Sequence, residues 1–225
     1  MSTPIAEYLD AVEHLPPGGV LTFRQVPWED YERLLEDLAL CPGLRVSYDE
    51  GRLEIMSPLP EHEEYKDSIY SMARAFAEER GIELETRGSA TWKRRSLRKG
   101  SEPDTCFYVA SASRIIGKRT IDLESGDPPP DIVVEIDTTN ESLSKFPIHA
   151  SLGVSEIWRY DGTHVYMYAS DAHAYADTAE SRFLPGLTPE IIAAFMDAAK
   201  DHGQTQALAR FRTRIRAEMR GDFSN

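Results

Sequence analysis

Cysteine is scarce in this chain: two residues in 225, Cys41 and Cys106, without metal-like spacing and in unrelated segments. That gives little support to a disulfide framework or to a zinc site. Long hydrophobic runs are missing as well. No window approaches the roughly 18 consecutive apolar residues of a membrane helix, and MSTPIAEYLD at the N-terminus lacks the basic-then-apolar pattern of a signal peptide, so no membrane partner and a cytoplasmic location are expected. There is no internal repeat and no long flexible linker. Positive charge is also short, with 25 Lys and Arg against 38 Asp and Glu for a net charge of −13, and taken whole that argues against nucleic-acid binding.

The distribution of charge reverses that last reading. Residues 1–86 hold 19 acids and 7 bases, whereas 87–99, RGSATWKRRSLRK, hold six bases and no acid. Arg87, Lys93, Arg94, Arg95, Arg98 and Lys99 therefore form a concentrated basic segment, with Trp92 among them, and are the candidate nucleic-acid contacts. The alternative is the solvated tip of a hairpin.

With 41% hydrophobic residues the chain can bury one respectable core. Ser2 or Thr3 is placed to cap a first helix reaching about Leu15, which PPGG at 16–19 breaks, and Tyr31, Leu34, Leu35 and Leu38 recur at helical spacing. This gives an acidic helical arm over 1–43. LRVSY and RLEIM flank Asp49-Glu50-Gly51 as a hairpin. A helix over about 61–80 carries Tyr65, Ile69, Met72, Ala73 and Phe76 on one face, and Gly81 stops it. Strands are expected near 82–86, 89–95, 105–110 and 131–137, then a short helix near 143–152, a hairpin turning at Asp161-Gly162 and a C-terminal helix from Pro189. The order is that of an α/β domain with a mixed sheet over 44–197, followed by a basic helical tail at 198–225. The tail arginines, Arg210 to Arg220, are expected on a frayed, solvated helix.

Alternation in strand 131–137 puts Asp131, Val133, Glu135 and Asp137 on one face and Ile132, Val134 and Ile136 on the other. Acids are depleted from strands and costly to bury unpaired, so Glu135 calls for a cation or a solvent-filled cleft. A metal there should be a hard cation with oxygen ligands, Mg²⁺ or Mn²⁺. Asp104, opening the preceding strand, is the natural second ligand, because neighbouring strands lie about 4.8 Å apart. Asp131 lies four residues before Glu135, about 13 Å along the strand, too far to share the ion. Asp137 is a further ligand or an acid that only caps the strand end.

These residues carry a resemblance. Pro103-Asp104 followed by Glu135 in an apolar strand resembles the PD-(D/E)xK nuclease superfamily. MSPLPEHEEY with His62, PDTCFYV, PPDIVVEID, Lys145, GVSEIWRYDG and SRFLPGLT resemble its bacterial restriction-endonuclease branch, the Uma-type domain, over roughly residues 28–197. The resemblance implies a restriction-endonuclease-like fold and metal-dependent cleavage of DNA phosphodiesters. The superfamily lysine two residues after Glu135 is replaced by Asp137. The branch takes its lysine instead from the following helix, eight residues before the glycine of GVSEIW, which here is Lys145; His149 stands where the branch tends to have tyrosine. Lys145 and His149 are four apart and share a helical face. His62 and His149 are candidate accessory residues. Two other readings stay open: a non-catalytic nuclease-fold protein used for DNA binding or assembly, and a hydrolase of another phosphodiester such as RNA. Restriction-type enzymes often act as dimers, because two cuts on antiparallel strands call for two related sites, so the resemblance makes a homodimer possible, although no sequence feature marks its interface.

Overall fold

A computed structural model describes residues 5–38, 43–138, 142–171 and 174–220. The proposed caps Ser2 and Thr3, and Cys41, lie outside the described residues.

The first helix, α1 (Ile5–Glu13), leads through the PPGG break into β1 (Val20–Phe23) and then α2 (Trp28–Leu38). A hairpin follows, β2 (Arg45–Asp49) and β3 (Arg52–Met56), in register Asp49↔Arg52, with Glu50 and Gly51 at positive φ in its turn. β1 pairs with β3, so the arm read as helical also adds a strand. The long α3 (Pro60–Arg80) ends where Gly81 takes φ 68°, its amide returning to the carbonyls of Ala77 and Glu78. Next come β4 (Glu85–Thr86), β5 (Trp92–Arg94), a 3₁₀ turn (Arg95–Leu97), β6 (Lys99–Ser101), β7 (Thr105–Tyr108) and the single-turn α4 (Ala112–Ile115). β8 (Ile132–Ile136) precedes a 3₁₀ turn (Ser142–Lys145) and α5 (Phe146–Leu152), which Gly153 closes at φ 91°. β9 (Glu156–Tyr160), β10 (Val165–Asp171) and β11 (Ala174–Asp177) complete the strands, and α6 (Pro189–His202) and α7 (Gln204–Arg220) the helices.

The fold is the mixed α/β arrangement expected, with one difference: its strands form two sheets. One has the order β1-β3-β2-β6-β5, the other β11-β10-β9-β8-β7-β4, in which β8 and β9 alone run parallel. The chain crosses between the sheets at Glu102-Pro103-Asp104. Glu102 still belongs to the first, its amide donating to Val46 O and its carboxylate accepting from Val46 N. Pro103 cannot donate to a ladder, which ends the pairing. Asp104 is therefore where the two sheets meet.

β8 is covered on both faces, consistent with its run of Ile, Val and Val. Ile132, Val134 and Ile136 pack beneath α3, α6 and α7 with Ile69, Phe76 and Phe211. Val133 faces the other way, onto Cys106, Tyr108 and the α5 residues Ile148 and Leu152. The smaller sheet has its own core against α1 and α2, built on Tyr8, Trp28, Tyr31, Leu34 and Tyr48.

The C-terminal tail is not a frayed helix. Phe211 and Ile215 are buried, while Arg212 and Arg216 pair with Glu78 and Glu79 of α3. Apolar residues at positions 211 and 215 supply the buried stripe that the density of arginines conceals in the sequence.

Candidate active site

Asp104, Glu135, Lys145 and His149 converge beside β8. Thr105 pairs with Val134, so Asp104 stands one position beyond the β7–β8 ladder, beside Glu135. On the other side of β8, Arg159 is in register with Glu135. Glu135 is 1% exposed and bonds at both oxygens: Lys145 Nζ donates to Oε2 at 2.9 Å, and His149 Nε2 lies 2.8 Å from Oε1. The cation demanded by a buried strand glutamate is thus supplied by α5 and the turn before it, where Lys145 is itself 8% exposed. Asp104 Oδ2 accepts the amide of Ile136 at 2.8 Å. Its Oδ1 is buried without a hydrogen bond, with Arg45 Nε 3.5 Å away.

These contacts set the protonation states. Burial raises the Asp104 carboxyl to about 6, and repulsion from Glu135 adds to this. Burial works the same way on Glu135, but the Lys145 charge and the His149 bond outweigh it and hold Glu135 below the usual glutamate value. Burial alone would lower the Lys145 ammonium; Glu135 and Asp104 overcome it and hold Lys145 above the lysine range. Glu135 and Asp104 thus favour the charged form of Lys145, and Asp104 is the carboxyl of the pair whose pKa is raised.

Asp137 pairs with Arg159 at the edge of the cluster. His62, in the first turn of α3, is buried with Nε2 2.7 Å from Thr138 Oγ1, and burial lowers its pKa. Asp131 does not take part: it accepts from the amides of Val109 and Ser111 and from the Ser111 hydroxyl, so the second Pro-Asp caps a turn.

Three of the six bases of the basic segment pair with acids distant in sequence. Lys93 and Arg95 pair with Glu32, Arg95 also with Glu29, and Lys99 with Asp49 and Glu50. Arg87 pairs with Glu85, Arg94 donates to Leu123 O, and Arg98 to the Tyr48 hydroxyl. Nucleic acid binding there has to compete with these contacts.

Sequence reasoning missed Arg45 and its partner Glu63. Arg45 is 6% exposed on β2, and Nη2 donates to Glu63 Oε1 at 2.7 Å. An arginine in LRVSY reads as an ordinary solvent-facing strand position, and only the meeting of the two sheets turns it inward.

Fold and site together define a mixed α/β protein with a buried carboxylate pair and a lysine at the seam of two sheets. Residues 28–199 match the family Uma2, described as "Putative restriction endonuclease", and the chain belongs to that family. It is also similar to a solved structure of a putative nuclease belonging to DUF820 from Anabaena variabilis ATCC 29413, with 17% identity, 67% of this chain and 90% of the other covered, and a TM-score of 0.47. None of the curated proteins compared matches the chain.

Proposed function

We propose that this chain is a nuclease that hydrolyses DNA phosphodiester bonds at Asp104, Glu135 and Lys145 with the help of a divalent cation, Mg²⁺ or Mn²⁺. One observation carries the reading: a buried carboxylate pair meets a lysine held protonated, and the spare oxygen of the pair, Asp104 Oδ1, makes no hydrogen bond.

The residues fit a hard cation that keeps most of its water. Among the described residues no three His, Cys, Asp or Glu are grouped to hold a metal, so an ion here would have few protein ligands. Mg²⁺ is commonly held by only one or two carboxylates, together with water and phosphate oxygens, and Asp104 with Glu135 supply that number. When bound, such an ion polarises a phosphoryl oxygen and lowers the pKa of its water. The chain's own part is then clear. Asp104 and Glu135 would hold the ion, His149 and Lys145 fix the Glu135 carboxylate from two sides, and the Lys145 ammonium would orient water or offset charge at phosphorus. Favoured in its charged form, it does not act as the base. Asp137, paired with Arg159, is the weaker candidate ligand.

A second reading, a nuclease-fold protein that binds without cutting, has one observation in its favour. Asp104, Glu135 and Asp137 each already face a cation, namely Arg45, Lys145 and Arg159. Duplex DNA, RNA and a mononucleotide diester incubated with Mg²⁺ or Mn²⁺ separate the possibilities. DNA cleavage lost in Asp104→Ala supports the proposal. Cleavage of RNA alone shifts the substrate, and a wild-type protein that binds DNA and cuts nothing establishes the second reading.

A further inference from the structure

Arg45 enters the site from the smaller sheet, and its guanidinium is satisfied at two of three nitrogens. Nη1 donates to Leu44 O at 3.1 Å and Nη2 to Glu63 Oε1 at 2.7 Å. Glu63 is braced in turn by Lys66. The third nitrogen, Nε, is buried and makes no hydrogen bond; the nearest carboxylate oxygen, Asp104 Oδ1 at 3.5 Å, also makes none. That separation keeps charge attraction but is beyond a sound N–H···O bond. Buried donors and acceptors are rarely left unmatched, and here one of each stands side by side at the seam of the sheets. Lys145 and Arg159, by contrast, meet their carboxylates in hydrogen-bond geometry.

A ligand that satisfies both atoms has to bring an acceptor oxygen to Nε–H and a hydrogen-bond donor or a cation to Oδ1. A phosphodiester accompanied by a divalent cation has both. Arginine suits the task better than lysine, because its fork can stay anchored on Glu63 while a separate N–H points elsewhere.

We propose that Arg45 is a phosphate-binding residue of this site, its Nε–H donating to a non-bridging oxygen of the phosphodiester while Glu63 and the Leu44 carbonyl hold the rest of the guanidinium. The inference rests on the reading of the site as one that takes a phosphodiester, but not on that bond being cut.

The test is fluorescence anisotropy of a labelled DNA duplex in Ca²⁺ over a salt series, with a gel confirming that the duplex stays intact, for wild type, Arg45→Met and Arg45→Lys. Near-ultraviolet circular dichroism checks each fold. Arg45→Met should weaken binding by about tenfold or more, the scale of one charge-assisted hydrogen bond. It should also reduce the salt slope by about one phosphate contact. Arg45→Lys should keep the slope and lose part of the affinity. Affinity and slope equal to wild type in folded Arg45→Met overturn the proposal. Should that variant not fold, Arg45→Lys decides, and wild-type affinity in it overturns the proposal. A wild-type protein that binds no duplex overturns it too. Arg45-dependent binding without cleavage in Mg²⁺ leaves it standing while removing the nuclease reading.

Discussion

Lys145 lies ten residues beyond Glu135 in sequence, yet its ammonium donates to Glu135 Oε2 at 2.9 Å. The short turn and α5 fold the chain back so that the cation missing from the strand position of Asp137 returns from the next element. Lys145→Met should retain DNA binding and lose about 10²-fold or more in cleavage rate, the scale of one preorganised electrostatic donor. The same change strips a buried carboxylate of its cation, which costs about 3 kcal/mol, and Glu135→Gln added to it should recover much of that stability. Single-turnover kinetics and thermal melts check both; a wild-type rate would remove Lys145 from the chemistry.

Asp104→Ala should abolish Mn²⁺ binding while the fold survives: the change leaves the Ile136 amide unpaired and takes one carboxylate from Arg45, but Glu63 still pairs with Arg45 and the repulsion between Asp104 and Glu135 is relieved. Isothermal calorimetry reads this directly. Unchanged affinity would place the ion elsewhere.

The raised Asp104 carboxyl sets a pH dependence. The folded state holds this proton more tightly than the unfolded chain does, so between the ordinary aspartate value of 3.8 and about 6 this group's contribution to stability falls as pH rises. The lowered Glu135 acts in the opposite sense. Metal requires the carboxylate, so Mn²⁺ affinity should decline as pH drops through about 6, approaching tenfold per unit below it. A profile flat from pH 7 to pH 5 would contradict a raised Asp104 carboxyl acting as a ligand.

Lys93 and Arg95 are paired with Glu29 and Glu32, which neutralises part of the charge of the basic segment. Glu29→Gln with Glu32→Gln should free these cations and tighten DNA binding with a steeper salt slope. Arg94, Arg95 and Arg98 changed together to Ala in that background should reverse the gain. No change in either variant would move the phosphate contacts away from residues 87–99.

What the sequence disclosed depended on how local each relationship was. The β8 alternation, the glycine stop of α3 and the Asp161-Gly162 hairpin are set within a few residues, and all are present. Asp104 and Glu135 come together across adjacent strands and were legible from the spacing of strands alone. The pairing of the basic segment with α2 joins residues more than sixty apart, and Arg45 reaches Asp104 across a seam between sheets that no periodicity records. Pro103 was the one local sign of that seam, and it read as a motif rather than as the point where a ladder must end.

Anomalous diffraction from a crystal soaked in Mn²⁺ tests the central claim most directly. The account predicts a peak at coordination distance, about 2.2 Å, from Asp104 Oδ1, with Glu135 as the second protein carboxylate and Lys145 still beside it. A fully soaked crystal with no peak there, or with the ion held by other residues while Arg45 and Lys145 keep both carboxylates, would contradict it.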